Sequence, residues 1–312
     1  MASSSAVVSP RAAAGLFVLM IVLWGVNWPV MKVGLDYIPP FHFALLRMTL
    51  GALTMFAVAA LAGELHRPAR QDWPIVLSIG LIQMGTFMVL SFLGLRFVGS
   101  GRAAILAYTT PLWVLPLSVW VLKERLSGGK IAGFVLGLAG VAVLFNPVGF
   151  DWGDRRVLLG NGLLLFGAAL WALQIVHVRT HRWVGTPLSL LPWQQTVAVL
   201  LLAPLAIMFE PNATIRWTPE SIAILAYNGP LTSGLCFWIL LTVTRALPAV
   251  TTSIGSLATP LVGMLAGAWW LGEPLSATNT GGLALIGGAV AMLVLSEAWS
   301  RRPGPGAKPA DS

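Results

Sequence analysis

The side chains able to do chemistry are few, and they stand apart. The four histidines are His42, His66, His177 and His181. They form no His-Glu-x-x-His pair and no cluster with acids. His177 and His181 are four residues apart on one helical face, but no carboxylate joins them from the adjacent sequence. The single cysteine, Cys236, excludes an intrachain disulfide and a thiolate-rich metal site. There is no Gly-x-Ser-x-Gly, no Walker motif and no glycine-rich dinucleotide motif. The expectation is a chain without catalytic residues, metal or cofactor.

Of the eleven acids, Asp36, Glu64, Asp72, Asp151, Asp154, Glu210, Glu220, Glu297 and Asp311 fall in loops or at the ends of apolar runs, and Glu124 and Glu273 each close such a run. Ionisable groups inside a membrane mark ion and proton pathways because burying them is expensive. Their absence from the middle of every run argues against coupling through a mid-membrane carboxylate. Arg47 is the one cation well inside a run, the others lying within a few residues of an end. Its planar guanidinium suits either a substrate carboxylate or the carbonyls of neighbouring helices, and it is also able to snorkel to the interface.

The remaining candidates are uncharged. Trp24, Asn27 and Trp28 share one helical face, followed by Pro29. Trp171, Gln174 and His177 recur at spacings of three. An aromatic face beside an amide suits a zwitterion with an apolar side chain, and it suits a helix–helix contact equally. Gln83, Tyr108, Tyr227 and Asn228 are isolated polar groups in apolar surroundings, as expected of pockets with apolar walls and a few convergent polar groups. Trp113, Trp120, Trp269 and Trp270 read as lipid contacts or interface anchors.

The elements that position these residues follow from composition. The chain has 312 residues, 57% apolar and 10% charged, with a mean hydropathy of +0.82. Soluble domains carry about 25% charged residues, so a water-soluble enzyme and a nucleic-acid-binding protein are excluded. The net charge of +8 is scattered and never forms a basic block. A membrane-crossing helix needs about 20 mostly apolar residues. Ten such runs occur, at 12–34, 41–62, 73–95, 100–122, 129–146, 158–179, 187–209, 219–242, 249–271 and 277–296. The expected fold is therefore an all-α membrane protein with ten transmembrane helices. Lys and Arg divide twelve to six between the two sets of helix ends, with the richer set including both termini. The positive-inside rule then places both termini in the cytoplasm. Residues 1–10 and 300–312 are small, polar or Pro/Gly-rich, and disorder is expected there.

The two halves repeat. Pro111 lies 13 residues before Glu124, and Pro260 lies 13 before Glu273; a Leu-Ser pair follows each acid. At the same offset of 149, Gly85 matches Gly234, Arg96 matches Arg245 and Gly133 matches Gly282. Earlier in each half the offset is 147: Trp24 matches Trp171, Lys32 matches Arg179, Pro40 matches Pro187, and Arg47 matches Gln194. Two five-helix units are expected, at 11–147 and 158–297. Because five is odd, the second unit must enter the membrane from the opposite face. Inverted repeats of this kind build many secondary transporters, with the substrate site at the repeat interface.

Trp24-Gly25-x-Asn27, Leu46-Arg47 and the Pro-x12-Glu-(Arg/Pro)-Leu-Ser closures, within two five-helix units, resemble the EamA-type branch of the drug/metabolite transporter superfamily. Within it, the Trp-rich, cation-poor composition is most like YddG-type amino acid exporters. The resemblance implies an inner-membrane exporter of small metabolites with a central cavity between the halves. Aromatic and other neutral amino acids are the favoured substrates. Trp24, Trp28 and Trp171 would then form walls, and Asn27, Gln83, Tyr108, Gln174 and Tyr227 would offer hydrogen bonds. Arg47, Pro111, Glu124, Pro260 and Glu273 would gate or support the structure. The expected partners are a small-molecule substrate and the lipid bilayer, not nucleic acid, with the chain a monomer or weak dimer. Two alternatives stay open: a multidrug or nucleobase-type exporter of the same superfamily, and a lipid-handling membrane enzyme that depends on one histidine.

Overall fold

A computed structural model describes residues 10–122, 128–145, 154–246 and 258–300. Among them there are helices and turns and no strand. The helices, in chain order, are α1 (Pro10–Gly34), α2 (Pro40–Leu61), α3 (Arg70–Leu95), α4 (Ser100–Ala107 continued by Thr110–Leu122), α5 (Gly128–Phe145), α6 (Arg155–Thr180), α7 (Pro187–Phe209), α8 (Pro219–Ala226, Tyr227–Leu235 and Cys236–Ala246), α9 (Ala258–Leu271) and α10 (Ala277–Ser300). Seven of these are long and apolar enough to cross a membrane, namely α1 to α4 and α6 to α8. Shorter apolar helices lie within α5 and α9. Residues 1–9 and 301–312 of the termini expected to be disordered, the start of the run 249–271 before Ala258, and Glu124 lie outside the described residues, while Pro10 and Ser300 belong to α1 and α10.

Local sequence explains where the helices start. Pro40, Pro187 and Pro219 open α2, α7 and α8, where the missing N–H has no helical partner to lose. Thr186 caps α7 by accepting from the Ser189 N–H at 3.1 Å. Thr218 and Ser221 form a reciprocal capping box at α8. Asp154 caps α6 through the N–H groups of Arg156 and Val157. The Asn279 N–H donates to Ser276 at the start of α10, as an N-cap serine should. Pro111 and Pro260 sit in the first turn of a helical segment, where proline is tolerated.

The packing between the two sets of five helices is symmetric. α1 packs on α9, and their counterparts α6 and α4 pack on each other. The contact of α2 with α8 is mirrored by that of α7 with α3, and the contact of α3 with α6 by that of α8 with α1. The pairs α2–α7, α4–α9 and α5–α10 join counterparts directly.

Two helices are wound as π-helix in the middle, Ile79–Thr86 of α3 and Tyr227–Leu235 of α8. They occupy matching places in the repeat and carry matching glycines near their starts, Gly80 and Gly229. A Cβ on Gly80 would stand 2.5 Å from the Gln194 carbonyl oxygen, and one on Gly229 would stand 2.4 Å from the Leu50 Cβ. Neither position has room for a side chain, and this absence lets α3 lie directly on α7 and α8 on α2. The core between the helices is filled by side chains such as Phe43, Met48, Phe92, Ile105 and Leu106, with the rings of Phe43 and Phe92 stacked at 4.5 Å. The flanks are apolar: Trp120 and Trp269 are 74% and 89% exposed, which water would penalise and lipid would not.

Candidate functional site

The polar groups buried deepest gather around Arg47. This guanidinium is 2% exposed on α2. Its Nε donates to the Ser233 hydroxyl at 2.6 Å, and Nη1 to the Met31 thioether at 3.1 Å. The same sulfur receives the Asn27 amide at 2.9 Å. Gln195 of α7 donates to the Ser233 carbonyl at 2.6 Å. The cluster therefore joins α1, α2, α7 and α8, two helices from each half.

The π-wound turn of α8 makes this possible. A π turn breaks the regular ladder and leaves carbonyls for other donors, and such turns recur at functional sites. In this stretch the carbonyls of Thr232 and Ser233 accept from side chains of other helices. Trp24 takes the first through its indole N–H at 3.0 Å, and Gln195 takes the second.

Electrically the cluster is unbalanced. A buried charge is costly unless paired. Among the described residues no carboxylate pairs with Arg47, and the titratable side chains that face it are Cys236 and Tyr227. The carbonyl oxygens of the Asn27, Gln195 and Asn228 side chains are buried without a hydrogen-bond donor, as is that of Gln174. The interior thus offers one cation lacking a counter-ion and several acceptors lacking donors.

An aromatic group adjoins the cluster. Phe237 meets Trp24 edge-on at 5.4 Å and stacks with Trp171 at 6.2 Å, and Trp171 meets Phe87 edge-on at 4.7 Å. The two tryptophans matched by the repeat therefore share one phenylalanine between them.

Of the residues singled out in the sequence, Trp24 and Asn27 join this cluster, and Tyr227 adjoins it with its hydroxyl on the Leu23 carbonyl. Trp28 is buried in the main core. Gln174 lies apart, bonding Ser78 of α3 at 3.2 Å. It is the repeat counterpart of Asn27, and each leaves its carbonyl oxygen unbonded. Tyr108 sits beside Thr259 at the break in α4. Gln83 is half-buried and bonds to no other described residue. Sequence reasoning missed Met31, Gln195 and Ser233. Gln195 is adjacent to Gln194, the residue the repeat aligns with Arg47.

Acids at the helix ends tie the halves together. Glu273, swung out by Gly272 at φ +65°, accepts from the N–H groups of Ser100 and Gly101 at 2.6 and 3.0 Å, capping α4. The helix that it caps belongs to the other half. Glu210 caps α2 through the N–H groups of Phe41 and His42 and also bonds the His42 ring at 2.8 Å. Asp72 accepts from the N–H groups of Val184 and Gly185 and from His181. Lys32 donates to the Leu95 and Val98 carbonyls at the end of α3. Among the described residues no group of acids, histidines and cysteine is arranged to hold a metal. Two concavities stand away from the central cluster. One is an apolar groove of about 400 Å³ where α4 and α6 meet, lined by Trp113, Trp120 and Leu173, and the other a hollow of about 250 Å³ beside Glu273 and Arg102.

The description "EamA-like transporter family" matches this sequence twice, over residues 11–146 and 158–295. The chain belongs to the EamA-like transporter family. It is 28% identical over 272 residues to an uncharacterized transporter, YvbV, of Bacillus subtilis, covering 87% of this chain and 88% of that one. It is 27% identical over 285 residues to a "Probable amino-acid metabolite efflux pump" of Salmonella typhimurium, covering 87% and 91%. A "Probable terminal-alkyne amino-acid exporter" of Streptantibioticus cattleyicolor is 26% identical over 283 residues, covering 89% and 90%. A solved structure titled "Crystal structure of protein" shares the fold with a TM-score of 0.64 at 22% identity, covering 94% of this chain and 99% of its own. The EamA-like protein is thus a multi-pass membrane transporter with amino-acid exporters among its relatives, and its family points away from an enzyme.

Proposed function

We propose that this EamA-like protein exports neutral amino acids, aromatic ones foremost, across the inner membrane by alternating access. The observation that carries this reading is the closed polar cluster between the two family units, where a cation and amide groups adjoin three aromatic rings. The two relatives with amino-acid names support it. In this reading ten helices cross the membrane as two inverted units, both termini are cytoplasmic, and the chain works alone or as a weak dimer. Inverted units are able to close on either face by equivalent movements. Trp24, Trp28 and Trp171 wall the path, and Asn27, Gln83, Tyr108, Gln174 and Tyr227 supply hydrogen bonds along it. Pro111 and Pro260 absorb bends, while Glu273 and its counterpart Glu124 gate opposite faces.

The test is uptake of labelled Trp, Phe, Met and Thr into liposomes holding the purified protein, with and without an imposed pH gradient. Saturable flux above empty liposomes is expected, and flux without the gradient is expected because the sequence sets no carboxylate in the middle of an apolar run. Absence of flux for all four amino acids with folded protein overturns the reading.

A further inference from the structure

Resting on that reading, we propose that Arg47 is the subsite for the substrate carboxylate, and that the side-chain carbonyl oxygens of Asn27 and Gln195 form the subsite for its ammonium group. Arg47 presents five N–H donors and uses two of them, one on a hydroxyl and one on a thioether. A thioether is a weak acceptor, and Met31 serves two donors at once. A carboxylate is the stronger partner for a guanidinium, which binds it through paired hydrogen bonds. Its arrival displaces the Met31 sulfur and supplies the counter-ion that is lacking among the described residues.

The orphan oxygens decide between an anion and a zwitterion. Asn27 Oδ1 and Gln195 Oε1 are buried acceptors without donors. Each belongs to an amide whose nitrogen is already fixed on the Arg47 cluster, through Met31 and through Ser233. A lone carboxylate satisfies the arginine and leaves both oxygens unbonded. A lone amine meets the oxygens and is repelled by Arg47. An α-amino acid carries both groups on one carbon and satisfies all three residues together. Its side chain then turns toward Trp24 and Phe237, since Trp24 is tied to the carbonyl next to Ser233.

The experiment compares phenylalanine with two analogues, phenethylamine, which lacks the carboxylate, and 3-phenylpropionate, which lacks the ammonium group. Each competes against labelled phenylalanine for flux into liposomes, and each is titrated against the purified protein by tryptophan fluorescence. In the wild type, both analogues are expected to compete at least 10-fold more weakly than phenylalanine. Arg47→Met is expected to abolish the preference for phenylalanine over phenethylamine. Asn27→Leu and Gln195→Leu are expected to abolish its preference over 3-phenylpropionate. Arg47→Lys keeps the charge without the paired donors and is expected to fall between.

Analogues that compete as well as phenylalanine in the wild type overturn the subsites without recourse to any variant. So does an Arg47→Met protein that still prefers phenylalanine 10-fold over phenethylamine. Selective binding without flux keeps the subsites and overturns the transport reading. Flux with unchanged selectivity in folded variants keeps the transport reading and overturns the subsites. Neither binding nor flux overturns both.

Discussion

The π-wound stretches Ile79–Thr86 and Tyr227–Leu235 hold matching places in the two halves, carry matching glycines near their starts, and lie on matching helices. Their surroundings differ. In α8 the carbonyls of Thr232 and Ser233 are taken by side chains of α1 and α7, and the Ser233 hydroxyl holds Arg47. In α3 the residue matching Ser233 is Met84, which is buried among apolar neighbours. The residue facing α3 in place of Arg47 is Gln194. A repeat preserves backbone geometry where close packing demands it and lets the polar chemistry diverge. The unequal wiring places the charge on one side of the pseudo-symmetric core only.

The strongest way to break this comparison is to attack what the two stretches share. Gly80→Val and Gly229→Val each force a side chain against atoms 2.4–2.5 Å from the new Cβ. Each is expected to destabilise by about 3 kcal/mol or more. Loss of the monodisperse peak in detergent should appear for both, and a large difference between them would show that the halves do not pack alike. Ser233→Ala acts on one stretch alone. It strips Arg47 of its hydroxyl partner and is expected to lower stability by about 1–3 kcal/mol, read as a lowered Tm. Trp24→Phe and Trp171→Phe remove similar volumes, but only Trp24 donates its indole N–H to a carbonyl of a π-wound stretch. The Trp24 variant is expected to be less stable by about 1 kcal/mol than the Trp171 variant, and equal melting temperatures would remove the hydrogen bond from the account. The smallest effect belongs to Gln83→Ala in the bare stretch, which should change stability by less than about 0.5 kcal/mol.

The helical rods were legible in the sequence because lipid demands long apolar runs, and the described helices begin and end within a few residues of those expected, apart from α9, whose expected start at 249 lies outside the described residues. The repeat was legible through Pro, Gly and Trp positions whose spacing the packing fixes. The π winding was not, because no local residue pattern distinguishes it from an α-helix. Its trace among the repeat matches singled out in the sequence was the pairing of Gly85 with Gly234, and the equally matched Gly80 and Gly229 were missed. Of the site, Trp24, Asn27 and Arg47 stood out as polar or aromatic groups in apolar runs. Ser233 did not, because serine is tolerated inside a helix and its partner lies 186 residues away. Gln195 was obscured by Gln194, since the repeat identifies equivalent positions and gives no guide to which neighbour turns inward. Glu273 was recognised as a helix-end carboxylate, but which helix it caps depends on tertiary packing.

Arg47 also gives the core an electrical character. Among the described residues no carboxylate pairs with it, so the centre of the bundle holds a guanidinium without a counter-ion, and the proposed zwitterionic substrate would leave that charge unchanged. A charge crossing the whole membrane potential experiences about 2.3 kcal/mol per 100 mV. Under the proposed alternating access, rocking of α2 against its neighbours would move Arg47 through only a fraction of that field, so the empty and loaded carriers would experience the same modest voltage bias. On that proposal the potential sets how the two orientations are populated, and the gradient of the amino acid sets the direction of net flux.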